Sequence, residues 1–333
     1  MKILVSGGAG YIGGTVAGLL ASKGHEAVVY DNLSHGRRDL LPTGVRFEHG
    51  ELADRCRIES LFNQAKAEGK PFDGVLHFAA LIEAGESMKV PETFFRNNTA
   101  STLSLLEAML NCGVNKLVFS STAAVYGEPE EVPIKETAKL LPTNAYGESK
   151  LLVEHMLGWM NRIHGLRCAS LRYFNVAGAP EGPGGITRGE AHEPESHLIP
   201  LVLDVALGRR QSIKIFGEDY PTADGTCIRD YIHVSDLADA HLLALEALDR
   251  ESRLIYNLGN GKGFSVREVI ESARRVTGHA IPAEVCPRRP GDPAVLVASS
   301  EKAIKELGWK PRYTELDEIV RTAWVWHQKR HAK

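Results

Sequence analysis

Up to about residue 175, short apolar runs rich in β-branched residues alternate with stretches whose apolar positions recur at helical spacing. That pattern predicts βαβ units around a parallel sheet. The expected strands are residues 2–6, 26–31, 45–49, 74–78, 116–120 and 167–173. Each is a mostly apolar run rather than an apolar/polar alternation, as a strand covered by helices on both faces requires. A helix is expected from Tyr11 to about residue 23, and another after residue 145, where Leu152, Met156, Met160 and Ile163 recur at helical spacing. Residues 175–195 then break the pattern with Gly, Pro and charge, and read as a long loop that opens a second lobe. Beyond it, helices are expected over 236–248, with Ser235 as N-cap, over 265–277 and over 315–327, with a Pro/Arg-rich loop at 287–293.

At 333 residues the chain is long enough for two unequal lobes. No stretch approaches the roughly 18 continuous apolar residues of a membrane span, so no membrane partner is expected. The start MKILVSGG enters a strand without the apolar segment of a signal peptide, and the expected location is the cytoplasm. Five cysteines lack CxxC spacing, which indicates neither a zinc site nor a disulfide framework and predicts buried thiols, with no metal expected. A net charge of -3 without a basic cluster argues against nucleic acid as a partner.

Gly7-Gly8-Ala9-Gly10-Tyr11-Ile12-Gly13 fits GxxGxxG after the first strand and at the start of a helix. Gly7, Gly10 and Gly13 let the backbone turn tightly and approach a pyrophosphate, whose charge the helix start stabilises. The second strand ends in Asp31, at the spacing where a carboxylate accepts hydrogen bonds from adenosine ribose hydroxyls and repels a 2′-phosphate. NAD is therefore expected rather than NADP, on a Rossmann-type doubly wound sheet.

Tyr146-Gly147-Glu148-Ser149-Lys150 contains YxxxK, whose i, i+4 spacing puts both side chains on one helical face. A phenol ionises near pH 10, so it serves as a base near neutrality only beside positive charge, which Lys150 and a nicotinamide could supply. The fifth strand ends in Ser120-Ser121-Thr122, placing the Thr122 hydroxyl at the sheet's carboxyl edge.

With the Gly loop, Asp31, His77-Phe78-Ala79-Ala80, the Ser-Ser-Thr strand end and YxxxK, the chain resembles the extended short-chain dehydrogenase/reductase family over nearly its whole length. Gly85-Glu86-Ser87, Val125-Tyr126-Gly127, the run from Leu171 to Gly178, Ile215-Phe216-Gly217, the run from Arg229 to Val234 and the run from Arg288 to Asp292 resemble its UDP-glucose 4-epimerase branch more narrowly. The resemblance implies cofactor contacts at Tyr11, Ile12, Asp31, Asn32, Glu51, Leu52, Phe78, Ala79, Ala80, Asn97, Lys150 and Phe174. It implies UDP-sugar contacts at Thr122, Tyr146, Asn175, His197, Leu198, Phe216, Arg229, Arg289, Asp292 and Leu296. It also implies an NAD-binding domain of residues 1–174 and about 228–258, a smaller UDP-sugar-binding α/β lobe of residues 175–227 and 259–333, and a homodimer built on the helix of Tyr146 and the segment 97–111. Departures from the family pattern are Glu51-Leu52 near the adenine, Ile82 where some relatives carry Lys, His197 for Asn, Lys214 and Leu296.

The same fold and YxxxK pair serve nucleotide-sugar dehydratases and decarboxylases, so the residues after Thr122 discriminate. Relatives of those kinds carry acidic groups there, and this chain has Ala123-Ala124. One base and one reversible hydride transfer fit epimerisation at C4 of UDP-glucose and UDP-galactose. The alternatives are a 4-epimerase acting mainly on UDP-N-acetylhexosamine or UDP-pentose, and a non-catalytic NAD sensor.

Overall fold

The computed structural model describes residues 1–182, 185–289 and 292–332. In chain order the strands are β1 (Lys2–Ser6), β2 (Glu26–Asp31), β3 (Arg46–His49), β4 (Gly74–His77), β5 (Lys116–Thr122), β6 (Arg167–Tyr173), β7 (Asn175–Ala177), β8 (Glu181–Gly182), β9 (Gly185–Ile186), β10 (Ile213–Phe216), β11 (Ile228–His233), β12 (Arg253–Leu258), β13 (Gly263–Ser265), β14 (Ala283–Cys286) and β15 (Val295–Leu296). The helices are α1 (Tyr11–Ser22), α2 (Arg55–Ala67), α3 (Ala84–Ser87), α4 (Pro91–Phe94), α5 (Ser101–Cys112), α6 (Ala145–His164), α7 (Leu198–Ala206), α8 (Val234–Ala247), α9 (Val266–Thr277), α10 (Glu301–Leu307) and α11 (Leu316–His331). A π turn over Phe95–Ala100 leads into α5.

The chain divides into two units. The first holds Met1–Gly127, Lys139–Arg172 and Ala238–Tyr256, and the second Glu128–Ala138, Tyr173–Leu237 and Asn257–Lys333. Residues 128–138 and 228–237, which the sequence division gave to the first domain, thus lie in the second unit. One reason is local: Ile134 exchanges backbone hydrogen bonds with Val297 and Ser299, and β11 pairs with β7, β13 and β15.

A seven-stranded sheet runs β12-β6-β5-β4-β1-β2-β3. The ladders of β1 with β2 and β4, of β2 with β3 and of β4 with β5 are parallel. All five residues of β1 are buried, which explains its continuous apolar run. The strand order reverses between β1 and β4, and at such a switch point ligands bind beyond the carboxyl ends of the strands. In the core of this unit Leu4, Val28, Ile58, Phe62, Leu105, Leu117, Val153 and Leu157 pack together.

In the second unit α7, α9 and α11 close a core of Val202, Leu203, Val269, Ile270, Ile319 and Val320. Ser265 caps α9 through a capping box with Glu268, as expected. The N-cap expected at Ser235 is corrected: α8 already begins at Val234, and the Nδ1 of His233 accepts the backbone N–H of Ser235. The loop expected over 175–195 contains β7, recruited by its parallel pairing with β11, and the antiparallel pair β8 and β9. Residues 183 and 184 of that loop, and Pro290 and Gly291 of the 287–293 loop, lie outside the described residues. No helix among the described residues is long and apolar enough to cross a membrane. Cys168 and Cys227 are buried, whereas Cys56 is exposed, contrary to the expectation of buried thiols throughout.

Candidate functional site

In the first unit the predicted residues gather at the carboxyl ends of the strands. Gly7 follows β1 at a positive φ of 72°, and a Cβ there would come within 2.4 Å of the Ala79 nitrogen after β4. A Cβ on Gly13 would lie 2.4 Å from the Gly7 oxygen. Both glycines are therefore required by close backbone approach. Helix α1 starts at Gly10 with no side-chain cap and no acidic residue in its first turn. Such a helix start is suited to an external anion.

Asp31 is buried at the end of β2. Its Oδ2 accepts the Ala9 N–H (3.0 Å), tying the Gly loop to the strand, and its Oδ1 accepts the Leu33 N–H (2.8 Å). Burial raises its carboxyl above the usual range, and the two N–H donors oppose the rise. Leu33 holds a left-handed φ of 61°, an unusual conformation for a bulky residue at the turn that carries Asn32. Asn32 donates to the Glu51 carboxylate (3.1 Å). Of the Glu51-Leu52 pair only Glu51 is exposed, because Leu52 packs in the core with Tyr30. Phe78, Ala79 and Ala80 follow β4 half-buried, with the Phe78 ring 4.8 Å from that of His241. Asn97 donates to Asn98, which bridges Leu81 and the Ser149 hydroxyl of α6. An uncapped helix start, a glycine cradle that a Cβ would fill and a carboxylate at the next strand end fit a dinucleotide.

Helix α6 carries the reacting pair. Asn144 caps it by accepting the Gly147 N–H (2.9 Å), and the buried Ser87 hydroxyl accepts the Tyr146 N–H (3.1 Å). Tyr146 is half-buried, and its phenol forms a hydrogen bond with Thr122 at the end of β5. Desolvation pushes the phenol up to about 12, the Thr122 hydrogen bond pulls it back, and the Glu83 carboxylate adds to the rise. Lys150 is buried; its Nζ donates to the Ser120 carbonyl at 2.9 Å and lies 4.9 Å from the Phe119 ring centre. Burial pulls its ammonium down to about 7.

Sequence reasoning passed over the groups that hold this pair. Glu154, one turn beyond Lys150, binds Arg172 of β6 with two hydrogen bonds of 2.9 and 2.6 Å, both side chains being almost fully buried. Ser121 donates to Glu154 (2.5 Å), and Arg172 donates to the Tyr126 hydroxyl (2.9 Å). Burial opposes the Arg172 charge, but Glu154 outweighs it and holds the guanidinium above its ordinary value. The i, i+4, i+8 spacing of Tyr146, Lys150 and Glu154 was the available signal.

The predicted UDP-sugar residues other than Thr122 and Tyr146 lie in the second unit, as does Phe174, buried just after β6. Arg229 of β11 is ion-paired with Asp292 and donates to the Ile228 carbonyl (2.7 Å). Leu296 of β15 is paired with Arg229 across the β11–β15 ladder, and Asn175 of β7 with Tyr231. The Arg289 guanidinium stacks 3.9 Å from the centre of the Phe216 ring. His197 precedes α7, whose first residue is Leu198, and its Nδ1 lies 2.8 Å from Glu195 Oε1. Lys214 is exposed on β10.

The chain is similar to known proteins over nearly its whole length. The chain is 54% identical over 326 residues to the UDP-glucose 4-epimerase of Streptomyces lividans, covering 98% of this chain and 96% of that one. A crystal structure of a UDP-glucose 4-epimerase superposes with a TM-score of 0.95 at 49% identity, covering 100% of this chain and 99% of the other. The UDP-glucose 4-epimerase of Brucella ovis in complex with NAD superposes with a TM-score of 0.92 at 43% identity, covering 97% of each chain. The family model matches residues 3–259, and the chain belongs to the NAD dependent epimerase/dehydratase family.

Proposed function

We propose that this protein is a UDP-glucose 4-epimerase that inverts C4 of UDP-glucose and UDP-galactose through a 4-keto sugar, with NAD as resident cofactor. The observation that carries this reading is the Tyr146–Thr122 hydrogen bond, with Lys150 one turn along the same helix and Ala123-Ala124, not acids, following Thr122. Bound NAD would supply the reversible hydride acceptor. The residues proposed to hold it are the Gly loop with Tyr11 and Ile12, Asp31, Asn32, Glu51, Leu52, Phe78, Ala79, Ala80, Asn97, Lys150 and Phe174.

Tyr146 takes the proton from the C4 hydroxyl and later returns it, while Thr122 orients both oxygens. Desolvation alone leaves the phenol protonated near neutrality, so positive charge has to offset it. Lys150 is this chain's contribution, poised between its charged and neutral forms at about 7. The UDP moiety stays anchored while the hexose turns. Arg229 and Arg289 are the cations proposed for its diphosphate, since guanidinium forks match phosphate oxygens. Asn175, His197, Leu198, Phe216, Asp292 and Leu296 supply the remaining contacts.

The enzyme is proposed to be cytoplasmic, supported by five free cysteines. A homodimer through α5 and α6 is supported by exposed Leu103, Trp159 and Ile163. The test is incubation with UDP-glucose, UDP-galactose and their N-acetylated and pentose counterparts without added cofactor. C4 inversion of the two hexoses is expected. Loss of water or carbon dioxide, or no turnover at all, overturns the reading. Leu296→Tyr is expected to cut N-acetyl-sugar kcat/KM about 5- to 150-fold more than hexose kcat/KM, as an overpacking cost of roughly 1 to 3 kcal/mol implies. An unchanged ratio places Leu296 away from the C2 substituent.

A further inference from the structure

The second unit contains a cluster with no part in the proposed epimerisation. The last turn of α11 presents His327 and His331 at i, i+4, so both imidazoles lie on one helical face. Their ring centres are 5.1 Å apart. Asp204 of α7 meets them, with its Oδ1 3.1 Å from His327 Nε2. One ligand atom from each of the three residues falls within 4.8 Å of the others.

We propose that Asp204, His327 and His331 form a binding site for a divalent transition metal of the zinc class, which fastens the last turn of α11 to α7. Two imidazoles and a carboxylate are the donors such ions take, with solvent filling the open position. With metal–ligand bonds of about 2.0–2.1 Å, a 3.1 Å nitrogen–oxygen separation subtends about 100°, close to tetrahedral. A hard cation such as Mg²⁺ prefers an all-oxygen shell and is a poor match.

Metal binding uses the neutral imidazole. The charged groups acting on the two rings are Asp204, Arg209, Arg330 and Glu195. Arg209 Nε donates to the same Asp204 oxygen (3.0 Å) and has to yield that contact, or shift to the second oxygen, when the ion enters. The sequence concealed the site because Asp204 lies more than a hundred residues before the histidine pair.

The test uses the full untagged chain, freed of metal by chelator dialysis. Zn²⁺ is titrated against a chromophoric chelator, and Co²⁺ is added separately to record its visible spectrum. One equivalent is expected to bind, with an intense tetrahedral Co²⁺ band and a raised Tm. His331→Ala removes a half-buried ligand with little risk to folding, and Asp204→Asn removes the charge. Each is expected to weaken binding more than ~10-fold and to abolish the Tm rise, with metal-free epimerase activity unchanged. No saturable equivalent overturns the site, as does binding that survives both substitutions.

Discussion

Tyr146 combines a raised phenol with a short list of partners, and its loss is therefore specific. Tyr146→Phe keeps the ring, the helix and the Ser87 contact, which uses the backbone N–H. It is expected to lower kcat by roughly 10²- to 10⁴-fold while NAD stays bound, since only the proton acceptor is removed. Wild-type turnover in purified Tyr146→Phe protein would remove it from the mechanism. The YxxxK spacing and the Ser-Ser-Thr strand end were legible because both are local. What surrounds them was not: the Ser120 carbonyl that receives Lys150 and the Glu83 carboxylate that acts on Tyr146 come from residues 30 and 63 positions away. Arg229 and Asp292 were each legible as a polar residue in a recognisable segment. Their pairing with each other depends on β11 and β15 lying side by side, which neither segment records.

Helix α6 is held to the sheet by a buried charge pair, and that makes its anchoring sensitive. Glu154→Gln leaves the Arg172 guanidinium buried without its counter-charge and weakens the Ser121 contact. Breaking one partner of such a pair typically costs about 3–5 kcal/mol. A large drop in the denaturation midpoint is expected, with Ser121→Ala far milder because it leaves the ion pair whole. Equal stability of Glu154→Gln and wild type in urea unfolding would show that the pair does not anchor the helix. The same pair explains why the apolar spacing located the helix without marking its buried face. Leu152, Met156, Met160 and Ile163 gave an apolar stripe, yet Ile163 is 64% exposed and the fully buried positions include Lys150, Leu151, Val153, Glu154 and Leu157. Polar residues on the inner face break the periodicity that a hydrophobic stripe relies on. Strands β1, β2, β4, β5 and β6 were legible because their burial leaves mostly apolar runs, whereas β3 is only partly buried and β12, at the sheet's edge, was not foreseen. Short strands such as β7 have too few residues to show a period, and exist by pairing with distant partners.

At the scale of the whole molecule, two neutral histidines make the protein acid-sensitive. Thr102 donates to the Asn98 carbonyl, so it accepts from His77 Nε2, and Nδ1 is left to accept from Ser6. Likewise Thr322 donates to the Ile319 carbonyl and accepts from His233 Nε2, while His233 Nδ1 accepts the Ser235 N–H. A second ring proton would face the Ser235 N–H at His233 and would force the Ser6 hydroxyl to turn from donor to acceptor at His77, and burial holds each imidazole down at about 3. Because these folded values lie below the unfolded value near 6.5, the stability they contribute is complete above about pH 6.5 and is lost as pH falls from there toward 3. At pH 5 the loss is roughly 2 kcal/mol for each histidine. Asp230, pushed up to about 6 by burial against three backbone N–H donors, opposes this with roughly 1.4 kcal/mol at the same pH. A net fall in Tm is expected between pH 7.5 and 5, and a smaller fall in His77→Gln; a flat Tm would refute the assignment. The last expectation concerns association. Trp159 is 59% exposed and Ile163 64% on α6, and Leu103 is 37% exposed on α5. The Arg162 guanidinium lies 4.6 Å from the Trp159 ring centre, leaving a broad aromatic surface beside a charge. A stable dimer needs about 800 Å² from each partner, more than three side chains provide, so both helices have to contribute along their length. Trp159→Glu removes the largest exposed apolar side chain of that face and puts there a carboxylate that pairing two copies would have to desolvate even with Arg162 beside it. Light scattering is expected to give twice the chain mass of 36.4 kDa for the native protein and the single mass for Trp159→Glu. A native protein of single mass, or a Trp159→Glu variant that stays dimeric, would move the interface away from α5 and α6.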